Sequence, residues 1–157
     1  MLYQLYRKQV LPITLEEAWE FFSSPFNLKK ITPPDMGFEV KLISPEQKMY
    51  AGMIIAYKVR PLLGIPMNWV TEITHVREPY FFVDEQRFGP YSFWHHQHHF
   101  REVREGVEME DLVSYKIPLG LLGKVANALF VRKRLEYIFD YRYKILEEIF
   151  PQTAVLQ

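Results

Sequence analysis

The stretch Gly89-Pro90-Tyr91-Ser92-Phe93-Trp94-His95-His96-Gln97-His98-His99-Phe100 decides how the chain is read. It opens on a Gly-Pro turn signal and holds four of the five histidines. In an extended strand, alternate side chains point to opposite faces. Trp94, His96, His98 and Phe100 then share one face, while Tyr91, Phe93, His95, Gln97 and His99 share the other. Two imidazoles set between two large aromatics form a face able to look onto a packed core, a metal or a cavity.

The next turn signal, Glu105-Gly106, makes this strand half of a hairpin with residues 107–117. With Glu105-Gly106 as a two-residue turn, Phe100 opposes Asp111 and His96 opposes Tyr115. A register shifted by two sets His98 opposite Asp111. Both registers place Asp111, Val113 and Tyr115 on the face of Trp94, His96 and His98. A carboxylate beside a histidine favours the charged imidazole and fixes its tautomer.

Upstream, residues 38–88 read as further strands: 38–42, 52–60, 67–76 and 80–88, separated by short turns and by the loop 61–66. Short strands joined by short turns predict an antiparallel meander. Residues 2–10 supply a first strand, giving seven. Thr14-Leu15-Glu16-Glu17 fits a capping box at the start of a helix carrying Leu15, Ala18, Trp19 and Phe22. Ser24-Pro25 begins a second short helix, with serine as cap, which ends at Ile31 before Thr32-Pro33-Pro34.

Downstream of Pro118-Leu119-Gly120, the residues Leu121, Val125, Leu129, Leu135, Ile138, Phe139, Leu146 and Ile149 recur at three- and four-residue steps. They predict one long amphipathic helix, stopped by Pro151, whose apolar stripe faces the sheet. Strands and helices are segregated along the chain, so the class is α+β. Residues 1–151 form one domain in this reading, and 152–157 a frayed tail.

Composition narrows the function classes. Formal net charge is zero with no long basic block, which disfavours nucleic-acid binding. The absence of cysteine excludes disulfides, thiolate nucleophiles and cysteine-ligated zinc. No apolar run reaches spanning length and no signal-peptide pattern opens the chain, so a cytoplasmic protein without integral membrane association is expected. Aromatic residues at 16% supply bulk for a large core or an apolar pocket. There is no G-x-S-x-G, P-loop or dinucleotide fingerprint.

The chain resembles the helix-grip superfamily of START domains, Bet v 1 allergens and bacterial polyketide cyclase/dehydrase-like proteins. Asn27-Leu28-Lys29-Lys30-Ile31-Thr32-Pro33-Pro34 is similar to an NLxxITPP segment of a bacterial ligand-binding subgroup. Phe82-Val83-Asp84-Glu85-Gln86, Gly89-Pro90-Tyr91 and Trp94-x-His96-x-His98-x-Phe100 resemble its FVDxQ, GPF and WxHxHxF run. Asp111-x-Val113-x-Tyr115-x-x-Pro118-Leu119-Gly120 and Ile138-Phe139-Asp140-Tyr141-Arg142 resemble its last strand and helix. The resemblance implies a seven-stranded curved sheet around a long C-terminal helix, with two short helices after the first strand. It implies binding of a small hydrophobic or amphipathic molecule between sheet and helix, or a cyclase, dehydratase or isomerase activity. It implies no cofactor.

Three readings of the histidine face remain open at this point: a satisfied polar network within an aromatic core, a ligand pocket, or catalysis or metal binding. As a pocket, Trp69, Trp94 and Phe100 are walls, His96, His98, Asp111 and Tyr115 orient a polar group, and Val113, Phe139 and Arg142 complete the lining. As a catalyst, His96 or His98 exchanges a proton with Asp111 orienting the ring. As a metal site, His96 and His98 need a third ligand, and Asp111 is the local choice; a site without metal is expected. Asp84 and Gln86 share a face with Phe82, but the turn at Gly89-Pro90 leaves open whether it is the histidine face. The loop 61–66 is a candidate lid.

Overall fold

The computed structural model describes residues 1–43, 48–61 and 64–151. Seven antiparallel strands form one sheet: β1 (Tyr3–Leu11), β2 (Glu39–Ile43), β3 (Ile54–Val59), β4 (Met67–Arg77), β5 (Phe81–Phe88), β6 (Phe93–Val103) and β7 (Gly106–Lys116). Their order is β1-β7-β6-β5-β4-β3-β2, so the meander runs from β2 to β7 and the N-terminal strand closes on β7. Two short helices, α1 (Leu15–Phe22) and α2 (Pro25–Leu28), follow the first strand, and the long C-terminal helix follows the last. The class is α+β with helix-grip topology. Residues 62 and 63 of the candidate lid 61–66, and the tail 152–157, lie outside the described residues.

The β6–β7 hairpin sets the register of everything that follows. Val103 pairs with Gly106, so Arg104-Glu105 form the turn and not Glu105-Gly106. The reason lies in the neighbouring strand. Gly106 has φ 131, and a Cβ there would stand 2.1 Å from the Leu11 carbonyl oxygen. The glycine is needed both for that φ and for the close approach of β1. Of the two expected registers, the shifted one forms: His98 opposes Asp111, His96 opposes Val113 and Trp94 opposes Tyr115.

α1 begins as its sequence dictates. Thr14 Oγ1 accepts from the Glu17 amide at 3.2 Å, and Glu17 Oε2 accepts from the Thr14 amide at 2.8 Å. The helix buries Leu15, Ala18 and Trp19. Ser24 makes no side-chain cap to α2, and that helix ends at Leu28, three residues short of the expected Ile31. Asn27 donates instead to the Phe21 carbonyl at 3.0 Å, which ties α2 back onto α1.

The C-terminal helix is interrupted. α3 (Gly120–Ala126) and α4 (Arg132–Ile149) are joined by a π-helical turn at Asn127–Val131. A π turn adds a residue and rotates everything before it relative to the helix after it. Downstream, Leu135, Phe139, Arg142 and Leu146 are the buried stripe of α4. Upstream, Gly123 and Asn127 face the protein, so Leu121, Val125 and Leu129 are exposed. The expected continuous apolar stripe therefore holds only for α4.

Two adjoining cores result. One gathers Trp19, Ile73, Phe82, Phe100, Met109 and Leu146 under α1 and the end of α4. The other gathers Leu5, Trp94, Val113, Tyr115, Leu135 and Phe139 under the beginning of α4. The histidine pair lies at their junction.

Candidate functional site

β5 and β6 pair with Asp84 opposite His96, which answers the question the Gly89-Pro90 turn left open. Gln86 fixes that turn: its amide donates to the Tyr91 carbonyl at 2.6 Å and its oxygen accepts from the Tyr91 amide at 3.2 Å. Asp84 thus enters from one side of the histidines and Asp111, on β7, from the other.

The cluster is closely knit. His96 Nε2 donates to Asp111 Oδ1 at 2.7 Å, and His98 Nε2 donates to Asp84 Oδ2 at 2.8 Å. The remaining ring nitrogens face the opposite carboxylates, His96 Nδ1 at 3.3 Å from Asp84 and His98 Nδ1 at 3.1 Å from Asp111. This last contact is off the hydrogen-bonding direction, which leaves His98 Nδ1 without a partner among the described residues. Asp84 Oδ1 also accepts from the Trp94 indole at 3.2 Å. Arg142 reaches from α4 to Asp111 Oδ1 at 3.1 Å, and its guanidinium lies 4.8 Å above the Phe139 ring. The imidazoles stack on each other at 3.7 Å, and Phe82 covers His98 at 4.1 Å.

Carboxylates accept only, so the proton of each short histidine–aspartate hydrogen bond sits on the imidazole Nε2. Burial opposes charge on His96, yet Asp84 and Asp111 outweigh it and raise the imidazole above its ordinary value. Burial likewise opposes charge on Asp111, but Arg142 and both histidines hold its carboxyl well below the usual carboxylate range. Asp84 is held down in the same way, against burial, by His96 and by hydrogen bonds from both rings. The shifts of Asp84, Asp111 and His96 all favour their charged forms.

Asp84, His96 and His98 each offer an atom within 4.8 Å of the others and could hold a divalent ion. The third ligand in that set is Asp84; Asp111, the expected one, stands behind both rings. An ion binds an imidazole in the ring plane. The stacked rings, inclined at 37°, would have to turn to share one. The present geometry suits hydrogen bonding to two carboxylates.

Beside the cluster, a space of about 170 Å³ lies between the strands β3–β6, α4 and the α1–α2 segment. Its walls are chiefly aromatic and aliphatic, including Trp69, Trp94, Phe82, Ile73, Leu135 and Phe139. Its polar groups include Asp84, His96, His98, Arg142, Thr71, Tyr57 and Tyr91, with Ser24, Thr32 and Arg134 elsewhere on the lining, where Arg134 pairs with Asp35. Trp69 and Trp94 meet edge to face at 5.1 Å, and Tyr91 packs on Trp94 at 4.9 Å. Burial raises the Tyr57 and Tyr91 hydroxyls far above the ordinary phenol value, so both are neutral donors.

Of the ten residues singled out from sequence, Trp69, Trp94, His96, His98, Phe139 and Arg142 border this space. Four do not. Asp111 is one layer back and acts on it only through His96, His98 and Arg142. Phe100 is not a wall: it packs in the core against Trp19 and stacks on Phe22 at 5.4 Å. Val113 is fully buried against its neighbours in the second core. Tyr115 donates to Asn127 Oδ1 at 3.0 Å, away from the histidines, so it does not close their network. His95 pairs with Glu85 on the outer face of the sheet, and His99 bonds Gln97 there. His75 contacts Thr74 at an exposed position.

Sequence reasoning missed Asp84, Tyr57, Tyr91 and Thr71 as members. Asp84 was within reach, since it shares the alternating face of buried Phe82; only the turn length was lacking. Tyr57 and Thr71 arrive from β3 and β4 and carry no local signal.

No family model matches the chain, and no curated protein sequence matches it. Solved structures do. Protein CV1439 from Chromobacterium violaceum superposes with a TM-score of 0.70 at 14% identity, covering 96% of this chain and 99% of that one. Protein TTHA0849 from Thermus thermophilus gives 0.68 at 16% identity, covering 93% and 95%. Ginseng major latex-like protein 151 from Panax ginseng gives 0.66 at 10% identity, covering 96% and 98%. At such identities the likeness is one of architecture, and it shows that the chain shares their helix-grip fold.

Proposed function

We propose that the chain binds a small, mostly apolar molecule in the space between sheet and helix, with an acceptor oxygen directed at the histidine end. The observation that carries this is the asymmetry of the lining. Aromatic and aliphatic walls occupy most of it, and Asp84, His96, His98 and Arg142 converge at one place, while the other charged lining residue, Arg134, is taken up by Asp35, the arrangement expected of a ligand site. Arg142 borders the space, and its Nε is buried without a partner among the described residues, a donor suited to a carbonyl or carboxylate oxygen. A volume of about 170 Å³ compares with the ~150 Å³ cavity that admits a benzene. It suits a single ring or short chain, and a larger amphipathic ligand would require the walls to move.

Trp69 and Trp94 report occupancy directly, because two of the three tryptophans border the space. One-ring carbonyl and carboxylate compounds should change tryptophan emission saturably, and Trp94→Phe should remove most of the change. A panel that leaves emission unaltered would defeat the reading.

A second reading rests on the His96–Asp111 pair. A histidine that borders the space and is backed by a buried carboxylate has the build of an acid–base group for enolisation, dehydration or cyclisation of a carbonyl compound. Turnover lost in His96→Asn, with binding retained, would separate it from simple carriage.

A further inference from the structure

The first turns of the C-terminal helix show their apolar side to solvent. Leu119, Leu121 and Leu122 are 76%, 75% and 72% exposed, and Val125, Leu129 and Phe130 are each more than half exposed. Apolar residues scattered singly over a surface are ordinary, but six in twelve consecutive residues form a patch. Nor is it a core face turned the wrong way. The opposite side is fitted to the protein through Gly123, where a Cβ would lie 2.2 Å from the Pro118 carbonyl oxygen, and through Asn127, which accepts from Tyr115. Leu119 also holds a φ of 71, a left-handed conformation that leucine seldom adopts, with its side chain in solvent.

Charge decides the occupant. Residues 112–135 contain Lys116, Lys124, Arg132, Lys133 and Arg134 and no Asp or Glu. Arg132 pairs with Glu136 and Arg134 with Asp35. Lys116, Lys124 and Lys133 are exposed and form no ion pair among the described residues. A helical apolar face surrounded by unpaired lysines complements an anionic lipid surface. We propose that residues 119–130 lie in the headgroup layer of an anionic bilayer, the leucines entering the acyl boundary and the lysines on phosphates. No described helix is long and apolar enough to cross a membrane, so the contact is peripheral.

Cosedimentation with sucrose-loaded vesicles tests this with the full chain. The protein should pellet with phosphatidylcholine vesicles containing phosphatidylglycerol and stay in solution with phosphatidylcholine alone. High salt should release it. Changing Lys116, Lys124 and Lys133 together to Gln should weaken partitioning on the order of a hundredfold, taking each cation as roughly fivefold. Leu121→Glu with Leu122→Glu should abolish it while leaving circular dichroism and the melting temperature unchanged, since both side chains are exposed. Equal pelleting by the wild type and the leucine variant would overturn the proposal. So would failure to pellet, with a soluble dimer that the leucine variant dissociates; a second copy would then cover this face.

Discussion

Replacing Asp111 with alanine removes the acceptor for His96 at 2.7 Å and for Arg142 at 3.1 Å, and leaves a buried guanidinium without a counter-charge. Breaking one side of a buried pair in this way costs about 3–5 kcal/mol. For a chain of this size, that is a fall of roughly 6–20 °C in melting temperature. Arg142→Met should cost less, about 1–3 kcal/mol, because His96 still donates to Asp111. The pH dependence has two arms. Asp84 and Asp111 have folded values below their unfolded ones, so their contribution is present above about pH 4 and lost as pH falls through the folded values. His96 has a folded value above its unfolded one, so its contribution is complete below about pH 6.5 and lost as pH rises through the folded value. The wild-type advantage over Asp111→Ala should therefore be greatest between about pH 4 and 6.5 and shrink on both sides. Thermal melts of both variants across this range provide the assay. A melting temperature for Asp111→Ala within a degree or two of wild type, or a loss no larger than that of Arg142→Met, would refute the reasoning.

Other expectations follow from packing and the hairpin. Leu146→Ala, at a fully buried position, should cost about 2–5 kcal/mol, whereas Leu122→Ala on the exposed side should change stability by less than about 0.5 kcal/mol; chemical denaturation separates the two and tests the helix phase. Gly106→Ala should lower the melting temperature by several degrees, because its Cβ would collide with the Leu11 carbonyl at 2.1 Å. His96→Asn should remove the alkaline arm of the stability profile while the acid arm, carried by the carboxylates, persists.

Much of the architecture was legible because its signals are local. The alternation around Trp94, His96, His98 and Phe100 is a backbone property, and the Thr14–Glu17 capping box is complete within four residues. The parts that were not legible depend on a single residue of register or phase. Whether Asp84 meets the histidines hinges on the Gly89-Pro90 turn, held by Gln86 in a way alternation does not encode. The apolar run through Leu121, Val125 and Leu129 reads as a core stripe, and only the π turn at Asn127–Val131 turns it outward. Phe100 shares the histidines' face but lies beneath α1, where Trp19 and Phe22 fill the volume that a ligand would need. A shared face therefore does not mean a shared site; the covering helix divides it.

The central claim is that the space beside Asp84, His96 and His98 holds a small molecule. Native mass spectrometry of the wild type and of Thr71→Phe tests it most directly, since Thr71 is buried and borders that space. The account predicts one small organic molecule per wild-type chain, released on denaturation, and an unliganded, folded Thr71→Phe variant. An unliganded wild type that also takes up none of the one-ring carbonyl or carboxylate compounds, or equal loading of both proteins, would contradict it.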